Sequence, residues 1–360
     1  MTDPAGHAGI GHRVTVTTGG PEQVAAVVAA TDGDPLHVSV HAAGPAERDK
    51  AVAALRERGV GCAVDALVQP PAGAACGAVL WAVTGAVVGH PAPGASRLDI
   101  AGGTLVRLGH LDPGPPTGWA ELGDRLRPLG LGLDQVWKTW SYLPARPGDE
   151  AAAAGFTAFN ADRAAVFGDT AFRLEPPAGL DRAYPANTGV ADLSGTGTLT
   201  GLAGRPGGGL RVLGVENRRQ TPPHRYGPGT GRPRPAQFSR AVVLAAGGRG
   251  LVLMAGTAAV VDAATVGTDA VEQLEVTLGI VDGLLSGGAL AAEGVTLAGG
   301  LAALLHLVVY VARPVDLDRV AAHAAAWVPV PVLPVLGPLS RADLLVEVDG
   351  LAVVDVGGVS

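Results

Sequence analysis

The sequence predicts an α+β protein made of two tandem ββαβαβ modules, each a mixed sheet with helices packed on one face. Three observations carry this reading. Residues 133–143 parallel residues 301–311: each has a Gly-containing turn, a strand rich in β-branched and aromatic residues, a Tyr next to its end, and an exit that contains Pro. Strand and helix periods alternate through the C-terminal third. Aromatic residues make up only 4% of the chain while Gly (54) and Pro (28) are plentiful, so Ala, Val and Leu must build the interior between many turns.

The second copy is the clearer one. Residues 239–244 and 250–258 read as two strands. Between 269 and 285, Val271, Leu274, Leu278, Val281 and Leu285 follow the helical period, with Glu272, Glu275 and Asp282 off that stripe. After the Tyr310 strand, residues 317–326 read as a helix with Asp316 as its N-cap, and a strand over 343–349 closes the unit. In the first copy, residues 105–108 are a strand and 119–127 a short helix. The Tyr142 strand, a helix over 151–167 and a Ser-, Gly- and Thr-rich strand within 184–200 complete it. The chain therefore divides into an N-terminal region of poorly defined pattern (1–100) packed on the first module (101–204), a basic Pro/Gly-rich connector (205–238), and a C-terminal module (239–360).

A formal net charge of -7 argues against a general nucleic-acid binder, but not against a site for small anions. The two cysteines, Cys62 and Cys76, are too few for a disulfide framework and lack metal-ligand spacing. The first residues show no basic start followed by an apolar core, so the expected compartment is the cytoplasm. Residues 294–312 carry no charge and approach the length of a membrane-spanning helix. Gly299, Gly300, His306 and the β-branched, aromatic run 308–311 instead favour a buried strand after a turn.

Eight arginines (205, 211, 218, 219, 225, 232, 234, 240) face one acid, Glu216, between 205 and 240. That local excess points to a carboxylate site, since guanidinium groups bind carboxylates through paired planar hydrogen bonds; the alternative is a solvated linker. Within it, Arg225 and Tyr226 are placed to meet a carboxylate and a hydroxyl of one ligand, with His224 as a surface or ligand-contact residue. No Ser-His-Asp arrangement, phosphate loop or dinucleotide fingerprint stands out.

One carboxylate is set in the apolar closing strand. On period 2, Glu347 shares a face with Asp343, Leu345 and Asp349, while Leu344, Val346 and Val348 face the other way. That face is either solvated, or it holds an acid among apolar neighbours that raise its pKa and suit it to donate a proton. The last strand of the first copy has no Glu.

Residues 136–144, 159–163, 216–220, 225–226, 237–241, 255–258 and 340–347 together resemble the chorismatases, enzymes that split chorismate in bacterial natural-product pathways; the similarity runs from about residue 130 onward. The repeated unit also resembles the reactive-intermediate (imine) deaminases, which form trimers with sites in the clefts between subunits.

The first resemblance implies that Glu347 is the catalytic acid and that Arg225, Tyr226 and Arg240 hold the ring and its carboxylates. Arg341 shares the face of Glu347, yet six residues of straight strand put it roughly 20 Å away, so it reaches the same ligand only if the chain bends. Ser340 stands seven before Glu347, where the family has Cys in 3-hydroxybenzoate formers and Ala in hydrolases. Ala255 lies near a second discriminating position, where a small side chain leans towards hydrolysis. His224 replaces a family Tyr, and Arg313 comes one place later than expected, after Ala312.

The resemblance thus implies a cytoplasmic enzyme that takes the small molecule chorismate, needs no cofactor, metal, nucleic acid or membrane, and releases pyruvate, with 3-hydroxybenzoate favoured over a dihydroxycyclohexadiene carboxylate. It would supply a natural-product starter unit as a monomer, with a trimer built through the C-terminal module as the alternative. An imine or enamine deaminase and a non-catalytic binding homologue are the rival readings.

Overall fold

The computed structural model describes residues 11–100, 103–111, 117–145, 152–226 and 236–358. The α+β class is as expected, and the sheet-and-helix design recurs a third time, in the N-terminal region. That region comprises β1 (Gly11–Gly19), α1 (Pro21–Ala30), β2 (Asp34–Ala42), α2 (Pro45–Glu57), β3 (Ala63–Val68) and β4 (Cys76–Thr84), with strand order β1-β4-β2-β3. The second sheet comprises β5 (Val88–Ala92), β6 (Ala95–Ile100), β7 (Gly103–Leu111), α3 (Thr117–Leu126), β8 (Val136–Pro144), α4 (Ala152–Phe167), β9 (Ala186–Asp192) and β10 (Thr198–Arg205). Its order is β5-β6-β7-β10-β8-β9.

The third begins with β11 (Arg211–Asn217), β12 (Ala241–Ala246), β13 (Arg249–Met254), β14 (Thr257–Ala258) and the hairpin β15 (Val260–Val261) and β16 (Ala264–Thr265). It continues with α5 (Ala270–Leu284), β17 (Ala289–Leu290), β18 (Thr296–Ala298), β19 (Leu304–Val311), α6 (Leu317–Trp327), β20 (Val332–Leu336) and β21 (Val346–Gly357). In every module the middle strand (β2, β8 or β19) runs parallel to the strand after its following helix and antiparallel to the module's last strand. A helical crossover is what lets consecutive strands lie parallel.

Each sheet buries both faces. One face packs on its own helices: Val24, Val28 and Leu55 against Val38 and Leu80 in the first module, and Leu274, Leu278 and Val281 against Val252 and Val348 in the third. The other faces a core shared by all three sheets, with Leu36 and Trp81, Leu105 and Leu202, Leu244 and Leu351 in one cluster. Two-sided burial explains why strands such as β12 read as unbroken apolar runs.

Two boundaries differ from the expected division. The basic stretch supplies β11, whose Arg211–Val215 pair with Ala241–Ala245, because Val212, Leu213 and Val215 give it the apolar content of a strand. β5 and β6 join β7 in the second sheet. Asp316 is not a side-chain cap; it is buried and pairs with Arg313 and Arg319, whereas Asp269 caps α5 by accepting from the N–H groups of Val271 and Glu272. Residues 294–312 form β18, a turn and β19, and no helix among the described residues is long and apolar enough to cross a membrane.

The shared core is polar at its centre. Lys138 Nζ donates to Asp349 Oδ1 at 2.6 Å and to the carbonyl of Met254, and Trp140 Nε1 donates to Asp349 Oδ2 at 2.7 Å. Arg107 Nη2 donates to Asp65 Oδ2 at 2.6 Å. The Trp140 ring has the Arg107 guanidinium at 4.3 Å and the Lys138 ammonium at 4.4 Å from its centroid. These residues sit on β3, β7, β8 and β21, so one ionic network ties the three modules together.

Burial also sets a pH optimum for stability. Desolvation lowers the imidazoles of His41 and His306 to about 4 and raises the Glu216 carboxyl to about 8. The unfolded chain takes up protons on both histidines below 6.5, so their contribution is full above that pH and is lost as pH falls toward 4. Glu216 stays protonated in the fold but ionises near 4.5 when unfolded, so its contribution falls as pH rises from 4.5 to 8. Two histidines outweigh one glutamate below 6.5, and above it only the glutamate changes. From these three groups, thermal unfolding followed by circular dichroism should show a maximum Tm near pH 6.5, with Glu216→Gln flattening the alkaline limb.

Candidate active site

β21 enters the sheet so that Val346 and Val348 pack toward the helices while Glu347, Asp349 and Leu351 face the other sheets. Glu347 is therefore not on a solvated face; it is 6% exposed. In the ladder it lies opposite Tyr310 of β19 and Ala258 of β14. Desolvation pushes the Tyr310 phenol above its ordinary range, which keeps it protonated beside the acid. The space for the carboxyl is made by Gly256, where a Cβ would run into Glu347 Oε1. The Gly256 N–H donates to the Asn187 carbonyl at 3.0 Å, tying this loop of the third module to β9 of the second.

The facing wall comes from α4. Phe156, Phe159, Asn160 and Arg163 recur at helical spacing and so share one face. Arg163 is 1% exposed, donates to Asn160 Oδ1 at 2.7 Å and lies 5.8 Å from the ring centroids of Phe159 and Phe238. Arg240, just before β12, donates to the Tyr226 hydroxyl at 2.5 Å and to the Thr221 carbonyl at 3.3 Å. Arg341 donates to Asp343 Oδ2 at 2.6 Å and to Thr265 Oγ1 at 2.5 Å, and its hydrogen bond holds the Asp343 carboxyl below its usual range.

These groups surround one hollow of roughly 670 Å³, counting its open mouth. Three guanidinium groups against one embedded carboxyl, with Phe156, Phe159, Phe238 and Leu344 as apolar wall, suit a small, partly apolar ligand bearing carboxylates. Gly256→Ala should test the packing around the acid. The added methyl displaces the Glu347 carboxyl, so any reaction that uses this acid should slow by about 100-fold, the scale of a misplaced reacting group, with little change in Tm.

No protein-family model matches the chain. Two curated proteins of Streptomyces hygroscopicus are similar in sequence. A 3-hydroxybenzoate synthase is 35% identical over 179 residues, 47% of this chain and 50% of that protein; a chorismatase is 33% identical over 230 residues, 61% of this chain and 62% of that protein. The matched segments thus span between one half and two thirds of these relatives. A chorismatase crystal structure superposes with a TM-score of 0.68 at 22% identity, covering 96% of this chain and 99% of that one. The chain has the chorismatase fold and is similar to chorismatases over part of its sequence.

Within the chorismatase fold, five of the residues singled out from sequence come together around the hollow: Glu347, Tyr226, Arg240, Ser340 and Arg341. Arg341 reaches it because the chain turns before β21, with Leu344 N–H donating to the Arg341 carbonyl at 3.2 Å, so the separation of a straight strand does not apply. Four others do not line it among the described residues. His224 packs its ring 5.4 Å from that of Tyr184, and burial lowers its pKa. Arg225 is exposed on a short 3-10 turn. Ala255 is buried in the shared core, one residue from the space-making glycine. Arg313, just before the 3-10 turn that leads into α6, is held by Asp316 at 2.6 Å.

The arginine-rich stretch is mostly spent elsewhere. Arg205 donates to the Gly130 carbonyl and Arg211 to Glu175, while Arg232 and Arg234 lie outside the described residues. Arg163, Asn160, Asn187 and Gly256 complete the site although sequence reasoning did not assign them to it. The signal was present in the helical spacing of Phe156, Phe159, Asn160 and Arg163.

Proposed function

We propose that this protein is a chorismatase that releases pyruvate from chorismate, with 3-hydroxybenzoate as the ring product. The observation that carries the reading is Glu347, embedded in a hollow lined by Arg163, Arg240 and Arg341. The enolpyruvyl ether of chorismate is an electron-rich alkene. The Glu347 carboxyl donates its proton to the terminal methylene carbon, giving an oxocarbenium ion and a carboxylate that stabilises it. The C4 hydroxyl then attacks C3, breaking the C3–ether bond so that pyruvate leaves with the ether oxygen and the hydroxyl proton returns to the carboxylate. The resulting 3,4-epoxide opens at its C4–O bond and loses the C3 proton to give 3-hydroxybenzoate, so the atoms balance without added water. Water attack on the oxocarbenium carbon instead releases pyruvate and leaves both ring oxygens in the dihydroxycyclohexadiene carboxylate. The arginines orient the two carboxylates, which fixes the alkene against the acid.

Ser340 lines the hollow at the position that carries Cys or Ala in the family. Its hydroxyl, polar like the thiol, and the similarity to a protein named 3-hydroxybenzoate synthase support the aromatic product. The inner faces of the three sheets cover one another, which supports a monomer; sedimentation would reveal a trimer built through the third module. Buried free thiols at Cys62 and Cys76 accord with a reducing cytoplasm.

Incubation of purified protein with chorismate, coupled to lactate dehydrogenase, should show pyruvate. Mass and ultraviolet absorbance of the ring product should identify 3-hydroxybenzoate. No pyruvate, or ammonia release from enamines instead, sinks the proposal.

A further inference from the structure

The ladder registers make the three clefts between modules comparable. Glu347 lies opposite Tyr310, Thr198 opposite Tyr142, and Gly77 opposite His41, each pair joining a module's last strand to its middle strand. In the cleft between the third and first modules the counterpart of the acid is thus Gly77, and Leu333 of β20 fills the space, 2.6 Å from where a Cβ on Gly77 would stand. That cleft is shut. The cleft between the first and second modules is open, a hollow of roughly 790 Å³ counting its mouth.

Five of its wall positions correspond to positions in the candidate active site. Ala66 of β3 takes the place of Gly189 of β9, since each is paired with the residue just before the reference His41 or Tyr142. On α2, Asp49, Val52 and Arg56 have the spacing of Phe156, Phe159 and Arg163 on α4, so Arg56 stands where Arg163 stands. Thr198 stands where Glu347 does, leaving a hydroxyl but no acid.

The remaining chemistry points to a ligand. No side-chain hydrogen bond or ion pair engages the Arg56 guanidinium among the described residues, and Arg48 faces the same hollow with one donor turned to Asp49 at 2.9 Å. Asp192, 1% exposed, also lines it; its Oδ1 accepts from the backbone N–H groups of Val68 and Ser194 at 3.0 Å. Guanidinium groups beside a fixed carboxylate and the hydroxyls of Thr196 and Thr198 match a carboxylate and a ring hydroxyl on one small molecule.

We propose that the cleft between the first and second modules is a second binding site, for a small hydroxylated carboxylic acid, which it holds without reacting. The proposal does not depend on the reaction assigned to Glu347.

Titration of the full chain with 3-hydroxybenzoate by calorimetry tests it, comparing the unaltered protein with Arg56→Ala, Thr198→Val and Arg163→Ala. Arg56 is on the surface of α2, so its loss should leave the fold and chorismate turnover intact. The expected result is a site that Arg56→Ala weakens at least roughly tenfold, that Thr198→Val also weakens, and that survives Arg163→Ala. A titration unchanged by Arg56→Ala, or no saturable binding, overturns the second site. Pyruvate release, measured separately, reports on the proposed reaction.

Discussion

Glu347→Gln should lower kcat for chorismate by roughly 10³-fold while leaving the dissociation constant of chorismate within a few-fold, because a positioned general acid contributes about 10²–10⁴ to rate. Gln has the shape and hydrogen-bonding reach of the acid but no proton to give to carbon. The hollow around position 347 is walled by side chains from β9, α4 and the turn before β21, none of which the substitution disturbs. The arginines that hold the carboxylates stay in place, so binding measured by calorimetry on the inactive variant should persist. Loss of both binding and turnover would mean that Glu347 is a structural residue; retained turnover would move the acid elsewhere.

The largest loss of stability should come from breaking the central ion pair. Asp349→Ala removes the partner of Lys138, whose ammonium is 1% exposed and desolvated enough to lower its pKa. An uncompensated buried charge costs about 3–5 kcal/mol, which urea unfolding would register as a fall in midpoint at constant slope. Lys138→Met should be comparable. The double variant Lys138→Met with Asp349→Leu should lose less than either change alone, because it leaves neither charge stranded. Additive losses would show that the pair contributes only packing. Trp140, which donates to Asp349, would in the Asp349→Ala variant lose its acceptor, visible as a shift in indole fluorescence.

The sequence carried the acid more clearly than its surroundings. Glu347 could be read because one charged residue interrupts an apolar strand and because the neighbouring motifs resemble a family. Two of its cationic partners, Arg240 and Arg341, were among the residues read from sequence, and one was missed: the eye is drawn to a run of arginines, of which Arg205 and Arg211 serve a carbonyl and a strand edge, while Arg163 stands alone in a helix and is buried. The first module was hidden for a different reason. In β2 the residues turned to the shared core include His37, Ser39 and His41, so polar side chains occupy the inner face and the expected alternation is blurred. Its helices begin after Gly20 and Gly44 with Pro at the first turn and no capping side chain, which removes the usual start signal. Once β1 to β4 are recognised as a module, the trimer implied by the deaminase resemblance has its counterpart inside one chain.

Covalent linkage of the three modules changes what a single mutation can do. In a ring of identical subunits, every substitution is copied into all the clefts, so an exchange of the acid for Gly or Thr would extinguish every reaction centre at once. Here Gly77, Thr198 and Glu347 are separate codons for one structural position. The three clefts can therefore differ within one molecule: Leu333 packs against Gly77 in one, Thr198 stands in another, and the third holds the Glu347 carboxylate.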